Sequence, residues 1–199
     1  MAVLGIRAAA AEKGHLKILT YAHENGCRWN RRTCERAAKG GHLNVLKYAH
    51  ENECPWDKDT CRLAAENGHL DCLMYAHENG CAWDEQTCSS AASKGHFECL
   101  KFAKENGCPW DRQTCINAAR NDHLECLKYA HEHGCPWDRW TCVNAASRGH
   151  LEVLKFAIEN GCPWDRISLL RGRTVPVRAW VQDFIPEKCL VVVLPVVHL

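Results

Sequence analysis

The segment that decides the fold spans residues 55–81 and reads PWDKDTCRLAAENGHLDCLMYAHENGC. Its tryptophan–aspartate pair returns at one fixed interval, at Trp83, Trp110, Trp137 and Trp164. Its central histidine, His69, recurs at the same interval along most of the chain. A period between about 20 and 50 residues is typical of a solenoid, in which one supersecondary unit is repeated and stacked.

The first half of this unit is predicted to form a helix over residues 58–67. Asp57 precedes the helix and can accept a hydrogen bond from its first turn as an N-cap. Trp56 and Cys61 occupy the two positions of a hydrophobic staple. Gly68 follows at the position where a left-handed residue commonly ends a helix.

A second helix is predicted over residues 69–79. Leu70 and Leu73 are spaced three residues apart and begin an apolar stripe along one face. Gly80 can end this helix in a left-handed conformation, with Cys81 packed back onto its last turn. The unit is therefore expected to be a helix-turn-helix hairpin.

Helices of about ten residues are marginal in water, so each must bury its apolar face against a neighbour. We therefore predict an all-α solenoid of stacked helix-turn-helix repeats. Six tryptophans, from Trp29 to Trp164, follow the period. We expect their rings to be buried between units and to make the largest single-residue contribution to cohesion.

The chain has 15 cysteines, which in a secreted protein would indicate a disulfide framework. Here the cysteines follow the repeat in three columns. One column precedes the turn before each tryptophan, and a second follows a threonine in the first helix. The third column consists of Ile18, Val45, Cys72, Cys99, Cys126 and Val153. Interchange of cysteine with isoleucine and valine indicates a small, buried, apolar position.

Three chemical roles for these side chains are less favoured than packing. A bridge such as Cys81–Cys88 would span the turn, but the staple directs Cys88 toward its own tryptophan. His69 and Cys72 could offer two metal ligands on one helix, whereas a structural zinc needs four. A catalytic pair should be singular and asymmetric, and these residues are repeated. We predict no catalytic residue, no metal site and no cofactor, and assign the histidines to hydrogen bonds with the backbone.

The balance of charges and the apolar pattern of the sequence limit the classes of partner that are expected. Lys and Arg total 25 and Asp and Glu total 24, whereas a general nucleic-acid binder normally carries a clear basic excess. No run of about 18 apolar residues is present, so no membrane span is expected. The apolar start of the chain lacks the basic region of a signal peptide and is interpreted as a truncated helix.

Residues 87–100, TCSSAASKGHFECL, resemble the helical part of an ankyrin repeat. The resemblance lies in the double alanine, the Gly-His between the helices, the apolar pattern that follows and the closing Asn106-Gly107-Cys108. It covers residues from about 10 to 165 and recurs in every unit. It implies a non-catalytic protein–protein interaction module inside the cell, either cytoplasmic or nuclear.

The unit departs from the usual ankyrin repeat in its length, which is 27 residues here rather than about 33. The missing residues fall between Gly80 and Thr87, where ankyrin repeats carry a projecting hairpin, and the Thr-Pro-Leu-His signature is absent. We therefore expect ankyrin-like helix pairs with little or no finger.

The chain divides into three predicted segments. Residues 1–14 form a truncated N-terminal repeat helix, residues 15–166 form the repeat array, and residues 167–199 form an aperiodic C-terminal tail. The tail contains three prolines and an apolar run over residues 190–194. It is expected to be a poorly ordered segment, or alternatively a strand or short helix that covers the last unit.

Partner-binding residues should lie at positions that the period does not fix. Such positions occur at the start and middle of each first helix, which faces the concave side in the ankyrin-like arrangement. The candidates are Arg31, Arg32, Lys58, Arg62, Glu85, Arg112, Gln113, Arg139, Trp140 and Asn144.

The predicted function is a scaffold that binds another protein on this concave helix face. No small-molecule substrate and no membrane partner are expected. Two alternatives remain open. One is nucleic-acid binding through a basic streak formed by Arg31, Lys58, Arg112 and Arg139 and interrupted by Glu85. The other is a Cys-rich array that responds to metal or redox state.

Overall fold

The structure is a computed structural model that describes residues 2–170 and 174–184. Within these residues every regular element is an α-helix. The helices are α1 (Ala2–Glu12), α2 (Leu16–Glu24), α3 (Arg31–Gly40), α4 (Leu43–Glu51), α5 (Lys58–Glu66), α6 (Leu70–Glu78), α7 (Glu85–Lys94), α8 (Phe97–Glu105), α9 (Arg112–Arg120), α10 (Leu124–Glu132), α11 (Arg139–Arg148), α12 (Leu151–Glu159), α13 (Arg166–Leu170) and α14 (Val175–Phe184). The predicted all-α architecture is confirmed.

The first helices α5, α7, α9 and α11 each begin directly after an aspartate that caps them, as the sequence predicts. The Asp57 carboxylate accepts a hydrogen bond of 3.0 Å from the Asp59 backbone N–H. Asp84, Asp111 and Asp138 make the same bond at the starts of α7, α9 and α11. Asn30 precedes α3 without a side-chain hydrogen bond of this kind. The capping aspartate thus fixes where the first helix of a unit starts.

The second helices end in the predicted glycine cap, except α4, where Glu53 takes the left-handed position with a φ of 61°. Gly80 has a φ of 80°, a left-handed conformation that suits glycine. The Cys81 N–H donates to the Ala76 carbonyl at 2.9 Å, and the Gly80 N–H donates to the His77 carbonyl at 3.0 Å. These two bonds are the Schellman pattern. Only turn and irregular residues connect α6 to α7, so a projecting hairpin is absent from this connection.

The helices stack in two rows. The odd-numbered helices from α1 to α13 contact one another in sequence, and the even-numbered helices from α2 to α12 form the second row. Ala64 and Ala65 are fully buried, as is each equivalent alanine pair in the units from α3 to α11. Because these side chains are small, neighbouring first helices can approach closely.

The periodic tryptophans pack against the core between neighbouring units, as expected, but they are half-buried rather than buried. The Trp56 ring stacks on His50 with centroids 3.8 Å apart and meets the Tyr75 ring edge-on at 6.2 Å. Trp56 precedes the cap and lies outside the helix, where its ring covers the rim of the core. The largest fully buried side chains of the array are Leu19, Leu46, Leu73, Leu100, Leu127 and Leu154, one in each second helix.

The periodic histidines join neighbouring units. His69 Nε2 lies 3.1 Å from the Lys39 carbonyl at the end of α3, and His42 Nε2 lies 3.0 Å from the Glu12 carbonyl. The predicted backbone hydrogen bond is therefore confirmed, but its acceptor belongs to the preceding unit. His42, His69 and His150 each satisfy a carbonyl that the end of the preceding first helix leaves without an intrahelical partner.

The mixed column of cysteine, valine and isoleucine is buried, as predicted, at every member but one. Cys72, Val45 and Val153 are fully buried, whereas Ile18 is 49% exposed. Ile18 lies in α2, the first helix of the second row, where no earlier second helix covers it. All 14 described cysteines are free thiols.

The helical stack continues past the end of the sequence period. The short α13 packs against α11, and α14 packs against α13. Leu169, Val177 and Val181 are fully buried there. Thr174 lies over Gly149, in the place that a histidine takes in the earlier units. The segment boundaries proposed from the sequence stay a prediction, and the apolar run over residues 190–194 lies outside the described residues.

Candidate partner-binding face

The first-helix face is formed by the first two residues of each first helix from α3 to α13. Its first column contains Arg31, Lys58, Glu85, Arg112, Arg139 and Arg166, and its second contains Arg32, Asp59, Gln86, Gln113, Trp140 and Ile167. The capping aspartates hold these residues at the start of the helix, so equivalent side chains are placed side by side. Five of the ten predicted residues lie in the first column and three in the second.

The cations of the first column are engaged between units. Lys58 Nζ lies 2.7 Å from an Asp84 carboxylate oxygen, so it pairs with the cap of the next unit. Arg31 makes the equivalent contact with Asp57, and Arg112 makes it with Asp138, each at 3.1 Å. Glu85 interrupts this ladder because its charge has the same sign as the cap that follows. The basic streak expected from the sequence is therefore partly neutralised.

These ion pairs are exposed and weak. The side chains of Arg31, Lys58 and Arg112 are 65%, 55% and 61% exposed, respectively. Pairs of this kind contribute about 0–1 kcal/mol each. The cations can thus exchange their aspartate for an acidic group on a partner at small cost.

Arg62 is held more firmly than the first-column cations. Its side chain is 25% exposed, and its guanidinium nitrogens lie 2.8 Å from both Asp59 and Glu66. It is a predicted site residue that the structure places in a network within α5. A partner would have to displace two carboxylates to reach it.

An acidic cluster lies beside this network. Oxygen atoms of Glu35, Asp57 and Asp59 lie within 4.8 Å of one another. Burial raises the pKa of Glu35, and the nearby Asp57 carboxylate raises it further. Arg31 contacts both Glu35 and Asp57, and Arg62 contacts Asp59, so the arginines balance the cluster. The order of charges along the sequence does not reveal this cluster, because it joins two units.

Trp140 is the most distinctive residue of the face. Its side chain is 48% exposed, and the Arg139 guanidinium carbon lies 5.1 Å from its ring centroid. The Asn144 side-chain amide donates to the Trp140 carbonyl at 2.8 Å, which places Asn144 one helical turn further along. Ile167, 70% exposed, takes the position of Trp140 in the next first helix.

The apolar character of this end continues further into the face. Ile116 and Val143 occupy equivalent positions in α9 and α11, where Arg62 stands in α5. Sequence reasoning missed Ile167 because it was assigned to the tail, although adding one period to Trp140 would have found it. The second column of the face is therefore charged toward α3 and α5 and apolar toward α11 and α13.

The remaining predicted residues contribute exposed polar groups. Arg32 is exposed at the charged end. Gln113 is exposed, while its backbone N–H donates to the capping Asp111 at 2.9 Å. The structure thus brings the predicted residues onto one row of helices without gathering them into a pocket.

The sequence of residues 88–168 matches the family model of ankyrin repeats in three copies. The solved ankyrin repeat domain of human ASB11 is similar in structure, with a TM-score of 0.66 at 20% sequence identity. That similarity covers 79% of this chain and 84% of the solved one. No curated protein sequence matches the chain.

Ankyrin repeats are generally protein–protein interaction modules. Among the described helices, none is long and apolar enough to cross a membrane. The family match and the shared fold agree with the double alanines, the Gly-His turns and the stacked helix pairs. The chain has the fold of an ankyrin repeat domain, and its residues 88–168 match ankyrin repeats in units that lack the residues of the usual finger.

Proposed function

We propose that the chain is a non-catalytic scaffold that binds another protein on the first-helix face. The observation that carries this proposal is the exposure of Trp140 beside Arg139. Tryptophan and arginine are enriched at the energetic centres of protein interfaces. A tryptophan that only stabilised the fold would be expected at the position directly before a helix cap, where the six periodic tryptophans lie.

The exposed part of Trp140 is large enough to anchor a partner. A tryptophan side chain offers about 150–250 Å² of surface. Covering about half of that at about 25 cal/mol per Å² would contribute roughly 2–3 kcal/mol to binding. Ile167 and the half-buried Val143 extend the apolar end, and the loosely paired cations supply a polar rim.

The shape of the surface supports recognition of a protein over a small molecule. Small-molecule sites bury most of their ligand in a concave pocket. The larger hollow found among the described residues has a volume of about 380 Å³ and is open to solvent. It is lined by Gly95, His96 and Phe97, away from the first-helix face.

The two alternatives have less support. Nucleic-acid binding is normally accompanied by a clear excess of cations, whereas Lys and Arg total 25 here against 24 for Asp and Glu. A metal-responsive array requires clustered ligands. The single cluster of three ligating side chains in the described ranges is the carboxylate group balanced by Arg31 and Arg62. An intracellular location, cytoplasmic or nuclear, stays a prediction.

The test is affinity capture from native cell extract with the double variant Trp140→Ala, Arg112→Ala. Met74→Ala is the matched control, because Met74 is an exposed apolar residue in the second row, on α6. We expect the double variant to lose specific partners that the wild type and the control retain, with an unchanged melting temperature. Equal capture by all three proteins would refute the assignment of this face.

A further inference from the structure

Three cations in the first column of the first-helix face form a ladder of ion pairs between units. Lys58 Nζ lies 2.7 Å from a carboxylate oxygen of Asp84, the cap of the next first helix. The equivalent contacts at two other junctions are Arg31–Asp57 and Arg112–Asp138, each at 3.1 Å. At these three junctions a cation of one unit therefore balances the capping carboxylate of the next.

The junction between α7 and α9 is different, because Glu85 occupies the position of the cation. Glu85 is exposed and carries the same charge as Asp111, the cap that follows it. Among the described residues, neither of these two carboxylates forms an ion pair. The Asp111 carboxylate accepts a hydrogen bond of 2.9 Å from the Gln113 backbone N–H, which leaves its charge uncompensated. Two like charges thus lie where the other junctions hold a pair of opposite charges.

These carboxylates are close to the apolar end of the face. Asp111 caps α9, and Trp140 and Ile167 lie at the starts of the next two first helices, 48% and 70% exposed. Packed helices are about 8–10 Å apart, so roughly 10–20 Å separates the carboxylates of Glu85 and Asp111 from the Trp140 ring. An extended chain covers that distance with about three to six residues.

We propose that the partner of the first-helix face places a lysine or arginine between Glu85 and Asp111 and an apolar side chain on Trp140 and Ile167. The inference rests on the proposed function of this face and adds the chemistry of its partner. The cation takes the place that Lys58 has at the preceding junction, and it faces two carboxylates. One exposed ion pair changes an affinity by up to about fivefold. The charge therefore selects the partner and fixes its register, while the apolar contact supplies most of the affinity.

The same arrangement disfavours a nucleic acid as the occupant. A phosphate backbone carries a negative charge at every nucleotide and gains its affinity from cations. Along the first column such a backbone would pass Glu85 and Asp111, whose charges repel it. Removal of the Glu85 charge should therefore strengthen the binding of a nucleic acid, whereas it should weaken the binding of a basic protein segment.

The first experiment selects binders of the full chain from a display library of short random peptide segments. We expect the enriched segments to share a lysine or arginine and a bulky apolar residue about three to six positions away. Selection on Glu85→Lys should keep the apolar residue and lose the basic one, because the new lysine can pair with Asp111 as Lys58 pairs with Asp84. Glu98→Lys is the matched control, since it makes the same charge change at an exposed position of α8 in the second row.

The second experiment measures the Kd of the most enriched segment by fluorescence anisotropy. Glu85→Lys replaces an attraction by a repulsion and should weaken binding by about 5- to 25-fold. Glu85→Gln only removes the charge and should weaken it by up to about fivefold. Trp140→Ala should weaken it by about 30- to 150-fold, and Glu98→Lys should leave it unchanged. Melting temperatures equal to that of the wild type would show that the variants are folded.

Three results would overturn the proposal. These are enriched segments without a basic residue, equal effects of Glu85→Lys and Glu98→Lys, and tighter binding of a single-stranded oligothymidylate than of any segment. The last result would assign the face to nucleic acid. If the basic residue is absent but capture of native partners still depends on Trp140, the proposed function stands and this inference alone fails.

Discussion

Replacing Gly41 with alanine would place a methyl group against the His69 ring of the next unit. A Cβ built on Gly41 would lie 2.4 Å from His69 Nδ1 and 2.6 Å from its Cε1. The same residue has a φ of 72°, which disfavours any side chain. The substitution therefore combines backbone strain with displacement of a ring that hydrogen-bonds to the Lys39 carbonyl.

The two contributions can be estimated separately. A left-handed conformation costs a residue other than glycine about 1–2 kcal/mol. Loss of the hydrogen bond between His69 and Lys39 adds about 0.5–1.5 kcal/mol. We therefore expect Gly41→Ala to lower the free energy of unfolding by about 1.5–3.5 kcal/mol.

Gly80→Ala is the matched control. Gly80 has a φ of 80°, but a Cβ at this position would meet nothing within 4 Å. It should show the backbone strain alone, about 1–2 kcal/mol. Urea unfolding followed by circular dichroism measures both variants, and the fluorescence of the tryptophans gives a second signal.

A double-mutant cycle identifies the source of the difference. In a His69→Ala background, Gly41→Ala should cost no more than Gly80→Ala, because the ring that it meets is gone. If Gly41→Ala and Gly80→Ala lower the free energy of unfolding equally in the wild-type background, the contact of His69 with the preceding unit does not stabilise the junction between the two units.

Two further predictions test the burial of the aromatic and histidine columns. Trp110→Ala should cost about 2 kcal/mol, below the roughly 3–5 kcal/mol typical of a fully buried tryptophan, because its ring is half-buried. A loss as large as that of Leu100→Ala, measured in the same urea series, would contradict this. Burial lowers the pKa of His96. Since the unfolded chain then binds a proton more readily, the stability from His96 is complete above its ordinary pKa of about 6.5 and is lost as pH falls through the folded value. His96→Gln should flatten this dependence of the urea midpoint on pH, and an unchanged slope would exclude His96 as its source.

The helices and their ends could be predicted because their causes are local. Asp57 caps a helix that begins at the next residue, and Gly80 closes one that ends two residues earlier. The degree of burial of Trp56 was not predictable in the same way. Its ring packs on His50 and Tyr75, and the orientation of the neighbouring hairpins decides how much of it they cover.

The candidate face was predictable in its position and less so in its charge. Lys58 was expected to form a basic streak, but it pairs with Asp84, which lies 26 residues further along. A contact at nearly one full period is invisible when each unit is considered alone. Trp140 was identifiable because it departs from the period, and its exposure agrees with that reasoning.

The contact of each histidine with the unit before it also bears on how such an array can change in length. Because His42 and His69 each bond a carbonyl 30 residues earlier, successive junctions use the same residues in the same register. If one whole unit between Trp56 and Trp137 were excised, the two units on either side of it would meet through the same contacts that each made with the excised unit. Recombination between units can therefore alter copy number without creating a mismatched joint, and the length of the first-helix face then varies with the number of units.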